Sequence, residues 1–114
     1  MEKIIITATA EGIEQVKELL EAGVDRIYVG EKHYGLRLPH TFTYDELRQI
    51  ADLVHEAGRE IVVAVNALMH QDMMDNIKPF LDFLAEIKTD YITVGDAGVF
   101  YVVNRDKYPF KTIY

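Results

Sequence analysis

Glu21-Ala22-Gly23-Val24-Asp25-Arg26-Ile27-Tyr28-Val29-Gly30 decides the fold of this chain, because the run recurs. Glu56-Ala57-Gly58-Arg59-Glu60-Ile61-Val62-Val63 places a second Ala-Gly 35 residues after the first, again ahead of an apolar run. Asp90-Tyr91-Ile92-Thr93-Val94-Gly95 is a third copy, weaker at its start, that echoes Asp25 to Gly30. A glycine just past a helix takes the left-handed conformation that closes the last turn without a Cβ clash. The apolar run behind it then enters a sheet. A βαβ unit needs about 30 residues or more, so this spacing predicts parallel strands joined by helical crossovers. The class is α/β.

Working outward, Lys3 to Thr9 reads as a first, fully buried strand. Ile13, Val16, Leu19 and Leu20 recur at helical spacing and predict an amphipathic helix over Glu11 to Ala22. Asp25 to Gly30 is the second strand. Glu31 to Phe42 is the longest irregular stretch, and long loops in compact domains are often functional. The next helix opens on a Thr43/Glu46 capping box, with Phe42 and Leu47 spaced as a hydrophobic staple. Glu60 to Leu68 reads as the third strand, apolar on both faces as a covered sheet requires. A helical region follows over Asp72 to Ile87, where Pro79 either kinks the helix or marks the first turn of one that starts near Asn76. Tyr91 to Gly95 is the fourth strand and Val99 to Asn104 a short helix. After Pro109, Lys111 to Tyr114 resembles the opening of a fifth strand. An apolar strand at a sheet edge calls for cover. We therefore expect a single α/β domain over residues 1–114 that forms the N-terminal part of a longer barrel protein.

Of the 114 residues, 49% are apolar and 27% charged, enough for one globular domain. The formal net charge is −7 and the 12 Lys and Arg residues are scattered, so no nucleic-acid contact is expected from this segment alone. There is no cysteine, which excludes a disulfide, a thiolate metal site or a cysteine nucleophile in these residues. There is no serine either, so a Ser-His-Asp triad cannot form here. Thr7 is internal and lacks the free amine that a threonine nucleophile uses. Neither H-E-x-x-H nor the G-x-G-x-x-G spacing occurs. His33 and His40 lie on the long loop without a carboxylate at ligand spacing, so no metal site is expected. No apolar run approaches the ~18 residues of a membrane span, and the start lacks the features of a signal peptide. These residues suggest a cytoplasmic location, no membrane contact and no cofactor within this chain.

In parallel α/β sheets, ligands meet the C-terminal ends of strands. Those ends bring Glu31, Asn66, His70 and Asp96 toward one rim, a small polar pocket for a carboxylate or phosphate with Arg37 as a bidentate clamp. Asn66, Arg37, Asp96 and Glu31 are the substrate-binding candidates, and His70 the candidate acid or base. Each has a structural alternative. Asn66 can satisfy backbone groups at its strand end, and His70 can lie on a surface loop. Asp96 can cap the helix that follows, and Glu31 can pair with Arg37 across the loop. His55, near a helix C-terminus, reads as structural. Met69, Met73 and Met74 with Phe80 and Phe83 read as core or interface filler. The open sheet edges suggest a homodimer, alongside the remainder of the full-length protein as a partner.

Four motifs, in order, resemble the N-terminal region of peptidase family U32, the collagenase-like peptidases of unknown catalytic type. Glu21 to Gly30 matches the family's Glu-Ala-Gly-x-Asp-x-x-Tyr-x-Gly, and Gly35-Leu36-Arg37 matches its segment before an acidic helix. Val63-Ala64-Val65-Asn66-Ala67-Leu68-Met69-His70 matches Val-x-Val-Asn-x-Leu-x-His, and Gly95-Asp96-Ala97-Gly98 matches Gln-Asp-x-Gly. Two departures fall at strand ends: Thr7-Ala8-Thr9-Ala10 stands for the usual Ala-Pro-Ala-Gly, and Gly95 for the usual Gln. The resemblance implies the N-terminal half of a TIM-like (β/α) barrel that supplies strand-end residues to a substrate pocket. The family name implies a hydrolase. Other relatives hydroxylate RNA bases or, with an iron–sulfur cluster, quinone precursors, and the family's cysteine signature lies downstream of these residues. The alternative is a flavodoxin-like doubly wound sheet, a standalone ligand-binding or regulatory module with Asp96 at the end of a strand.

Overall fold

Strands and helices alternate strictly along the computed structural model, which describes residues 4–32, 38, 40–65, 71–95 and 97–113. The order is β1 (Thr7–Thr9), α1 (Ile13–Glu21), β2 (Arg26–Gly30), α2 (Tyr44–Glu56), β3 (Glu60–Val65), α3 (Gln71–Glu86), β4 (Tyr91–Val94), α4 (Ala97–Arg105) and β5 (Lys111–Ile113). The five strands form one sheet in the order β1-β2-β3-β4-β5, and every neighbouring pair is parallel. Right-handed crossovers between successive neighbours put every helix on the same face. A flavodoxin-like sheet reverses its direction of growth after the first crossover and carries helices on both faces. The doubly wound alternative is therefore overturned, and the chain has the (β/α) barrel pattern.

The two faces of the sheet are covered differently. Ile27, Val29, Ile61, Val63, Ile92 and Val94 pack with Val16, Leu47, Ile50, Phe80, Leu84 and Val99 into one apolar core under the helices. Val62 and Ala64 are also buried, yet they stand outside that core, because alternation along β3 turns them to the helix-free face. Polar side chains from β2 and β4 lie on that face instead, as described below.

Each helix leaves through the same turn. Gly23 (φ 91°) and Gly58 (φ 70°) are left-handed, as the repeat predicts. Val24 N–H donates to Leu19 C=O at 3.2 Å and Arg59 N–H to Val54 C=O at 3.0 Å, which closes both helices in the Schellman manner. Lys88 (φ 61°) and Lys107 (φ 55°) hold the same seat after α3 and α4. There Thr89 N–H donates to Leu84 C=O at 3.0 Å and Tyr108 N–H to Val103 C=O at 3.1 Å. The weaker start of the third copy is thus a lysine in the glycine's position, and a fourth copy has no glycine at all.

The aspartate that follows the turn in two copies has a common role. Asp25 Oδ2 accepts from Ile6 N–H at 3.0 Å, and Asp90 Oδ2 accepts from Ile61 N–H at 2.9 Å. Each carboxylate ties its own strand to the start of a neighbour. Each also meets a basic side chain from the turn region of α2: Arg59 Nη1 lies 3.4 Å from Asp25 Oδ1, and His55 Nε2 lies 2.9 Å from Asp90 Oδ2. His55 therefore does more than favour a helix dipole, since it braces the carboxylate that aligns β3 with β4.

Several expectations need correction. The first strand is short and far from fully buried: Ile4, Ile5 and Ile6 are exposed and β1 stands at the sheet edge. An edge strand has a neighbour on one side only, and alternation alone cannot bury it. α3 runs unbroken through Pro79, so that residue does not mark its first turn. The capping box is present as read, with Glu46 N–H donating to Thr43 Oγ1 at 3.2 Å and Thr43 N–H to Glu46 Oε1 at 3.0 Å. The predicted end of the third strand, Asn66 to Leu68, lies outside the described residues, as do Lys3, Met69 and Tyr114. The side chains of Met73 and Met74 are likewise outside what is described, whereas Phe80 is buried in the core.

Gly58→Ala should lower stability by about 1 kcal/mol, a purely conformational cost because nothing lies within 4 Å of the added Cβ. Lys88→Gly should raise it by up to about 1 kcal/mol, since it relieves a left-handed L-residue at some expense in unfolded-state entropy. Asp90→Ala should cost about 1–3 kcal/mol by leaving Ile61 N–H without its acceptor. Urea midpoints at constant m-value check all three.

Candidate functional site at the C-terminal strand ends

β2 carries the site's framework. Gly30 C=O accepts from Phe42 N–H at 2.9 Å, and Glu31 and Phe42 form an isolated parallel bridge. The long loop thus returns to the end of the strand that it left. The capping box starts α2 one residue after Phe42, so the helix N-terminus lies beside the end of β2. Between them is a cleft of about 350 Å³ lined by Glu31, Lys32, Thr41, Phe42, Thr43 and Tyr44. Phe42 is buried as the staple residue, and the His40 ring meets it edge-on at 4.8 Å. Tyr44 stacks on Phe83 of α3 at 4.6 Å and 14°, so one aromatic wall of the cleft is held by a second helix.

Glu31 is only 7% exposed. It continues the alternation of Ile27 and Val29, which accounts for its burial on the helix side of the sheet. A carboxylate there next to the N-terminus of α2 experiences the positive end of the helix dipole. The cleft offers this carboxylate, two threonine hydroxyls and an aromatic wall, a set able to orient a polar, planar ligand.

The helix-free face adds a second group below the rim. Tyr28 Oη and Thr93 Oγ1 are 3.1 Å apart and bridge β2 to β4 across β3. Deeper still, Arg26 Nε donates to Glu60 Oε1 at 2.9 Å and Arg26 Nη2 to Tyr91 Oη at 3.0 Å, with the guanidinium 4.2 Å from the Tyr91 ring centroid. The hydrogen bond to Glu60 holds the Arg26 guanidinium above its ordinary value, so its charge is permanent. These bridges share the helix-free face with Val62 and Ala64 and give it a polar lining.

A larger cleft, about 470 Å³, lies elsewhere, between the C-terminal ends of α2 and α3, and includes Arg48, Asp52, His55 and Glu86. We place the site at the strand ends nonetheless. The larger cleft faces the N-terminal side of the strands, where residues of this fold serve stability. Its side chains are engaged in doing so: His55 with Asp90, and Arg48 with Glu86 at 3.1 Å.

Of the predicted site residues, Glu31 is described, and it lines the cleft beside α2. Asn66, His70, Arg37 and Asp96 lie outside the described residues, as does His33. Tyr28, Thr93, Thr41 and Tyr44 escaped the sequence reading. The first two had a signal, for they hold equivalent positions in the copies Asp25 to Gly30 and Asp90 to Gly95. Among the described residues no group of three or more His, Cys, Asp or Glu side chains is arranged to hold a metal ion. Having no cysteine, the 114 residues offer no thiolate to an iron–sulfur cluster and do not fit one.

Comparison with known proteins adds four findings. The model of the family described as Peptidase family U32 matches residues 11–113. The chain is 33% identical over 99 residues to the tRNA hydroxylation protein P2 of Bacillus subtilis, covering 87% of this chain and 32% of that protein. It is 23% identical over 83 residues to a 23S rRNA 5-hydroxycytidine synthase of Escherichia coli, covering 73% of this chain and 13% of that protein. A solved U32 peptidase superimposes with a TM-score of 0.78 at 17% identity, over 98% of this chain and 49% of that one, which establishes likeness of fold. The chain spans about a third or less of the length of these curated relatives.

Tyr28→Phe should cost about 1 kcal/mol, and a double-mutant cycle with Thr93→Val should return a coupling of about 0.5–1.5 kcal/mol. Denaturant unfolding of the four proteins checks it.

Proposed function

The chain belongs to peptidase family U32, and from that premise we propose that it serves a protein that hydroxylates a pyrimidine base in tRNA. The observation that carries this reading is the 33% identity, over 87% of the chain, to a tRNA hydroxylation protein. The cleft at the strand ends agrees with it chemically. A buried carboxylate accepts from a base N–H, threonine hydroxyls meet carbonyl edges, and a stacked tyrosine offers an aromatic face. Asn66, Arg37 and Asp96 complete the substrate-binding set in this reading, and His70 carries a proton to or from the base. Phosphate contacts fall to other parts of the protein, because a net charge of −7 does not suit a polyanion. In this reading the segment holds the base, so the expectation of no nucleic-acid contact is narrowed to the phosphate backbone, and it does so as the N-terminal half of a barrel acting in the cytoplasm.

Peptidase activity is the second reading, favoured by the family name alone. A serine or cysteine nucleophile for it cannot come from these residues. The test is disruption of the gene in its source organism, followed by digestion of total tRNA and nucleoside mass spectrometry. The expected result is loss of one pyrimidine nucleoside heavier than its parent by one oxygen atom. Wild-type complementation restores it, whereas Asn66→Ala restores about a tenth or less, the effect of one lost hydrogen bond of about 1.4 kcal/mol. An unchanged nucleoside profile, with cleavage of a denatured-collagen substrate by the purified protein, would reverse the order of the two readings.

A further inference from the structure

Phe83 is half-buried at the surface of α3, and its contacts lead back to the cleft at the strand ends. Its neighbours Phe80 and Leu84 fill the core, whereas the Phe83 ring only borders it. That ring is stacked against Tyr44 of α2, with centroids 4.6 Å apart and planes 14° from parallel. Arg48, one turn further along α2, sets its guanidinium 5.4 Å from the Phe83 centroid and donates to Glu86 Oε1 at 3.1 Å. α2 thus contributes residues at i and i+4, and α3 residues at i and i+3, to one interlocked row. α2 and α3 are the two middle helices of the described four. Strands and helices added beyond either edge of the sheet therefore do not come between them.

The row supports a side chain that its own helix supports poorly. Tyr44 is the first residue of α2, and helical side chains lean toward the N-terminus. A side chain in the first turn leans past the helix end, with no earlier turn of its own helix to rest on. Tyr44 stays 43% exposed, although it lines the cleft with Glu31, Thr41 and Thr43. The plane of its ring is set from α3, by Phe83 face to face and by Phe80 at 5.7 Å and a tilt of 31°. Phe80 is engaged in the core. Apolar contact alone would hold Tyr44 at any tilt, whereas the stack on Phe83 fixes its plane.

We propose that Phe83 is a positioning residue for the cleft: it holds the Tyr44 ring in the plane against which a nucleobase stacks, without touching the base itself. This rests on the reading of the cleft as a base-binding site and adds to it a control from α3. Stacking is available to every base. Phe83 therefore sets the strength of binding and leaves the choice between pyrimidines to the hydrogen-bonding groups of the rim.

Isothermal titration calorimetry of the full-length protein with uridine and with cytidine tests the role, and circular dichroism verifies that each variant is folded. Tyr44→Ala should weaken both nucleosides about tenfold, the effect of one lost stacking partner. Phe83→Leu, which keeps an apolar side chain between the helices, should weaken both about threefold or more, by the same factor. Phe83→Tyr, which keeps the ring, should bind as wild type does. In the Tyr44→Ala background Phe83→Leu should have no further effect, because it acts through the ring already removed. A ring that only braces two helices would leave binding unchanged, or weaken it equally in both backgrounds. Either result would overturn the proposal while the base-binding reading stands, as would a loss with Phe83→Tyr as large as with Phe83→Leu. The base-binding reading fails separately, if wild type binds neither nucleoside or Tyr44→Ala binds both as wild type does, and the positioning role then falls with it.

Discussion

Parallel strands cannot be joined by a tight turn, and that constraint governs this molecule. Each strand must be reached from the far end of the previous one, so a helix is laid over the sheet between every pair. With strands added in consecutive order, right-handed crossovers stack all four helices on one face. The helix side becomes an apolar core of Val, Ile, Leu and Phe, and among the described residues the other side receives no helix. Val62 and Ala64 share that side with a set of polar bridges, Arg26 to Glu60 and Tyr91, and Tyr28 to Thr93. A polar concave face beneath a rim of strand ends is the geometry in which this fold does chemistry.

The same constraint divides labour between the two ends of the sheet. At the N-terminal end Asp25 and Asp90 stitch neighbouring strands through backbone N–H groups and are braced by Arg59 and His55. Charges satisfied in this way are poor candidates for ligand binding. At the C-terminal end the loop after β2 folds back on Gly30 and brings the capped start of α2 to Glu31, which produces the cleft. The stabilising carboxylates and the cleft thus lie at opposite ends of the sheet, on either side of a strand only five residues long.

Family membership narrows the chemistry without completing it. The relatives named for RNA hydroxylation are three or more times longer than the matched segment, and the solved U32 peptidase is matched over half its length. The matched residues are accordingly one part of a longer architecture, and in the proposed function they form one wall of its pocket.

The helix-Ala-Gly-strand repeat, the capping box and the staple were legible in the linear chain because they are local: each depends on residues within one turn of another. So was the parallel α/β class, from the spacing of Gly23 and Gly58. The left-handed seats at Lys88 and Lys107 were not, since tertiary packing imposes there a conformation that lysine does not prefer. Nor was the exposure of Ile4 to Ile6, because an apolar run reads the same at an edge as in the middle of a sheet. Strand-end logic brought Glu31 to the rim, but whether its carboxylate met solvent, core or cleft depended on where the loop returned. The Tyr28–Thr93 and Asp90–His55 contacts join residues far apart in sequence. The sequence by itself determined the elements and their parallel pairing, through turn and cap chemistry acting over a few residues. Only the tertiary structure decided strand order, and with it the helix-free face and the partners of the polar side chains, because those follow from which surfaces come together in space.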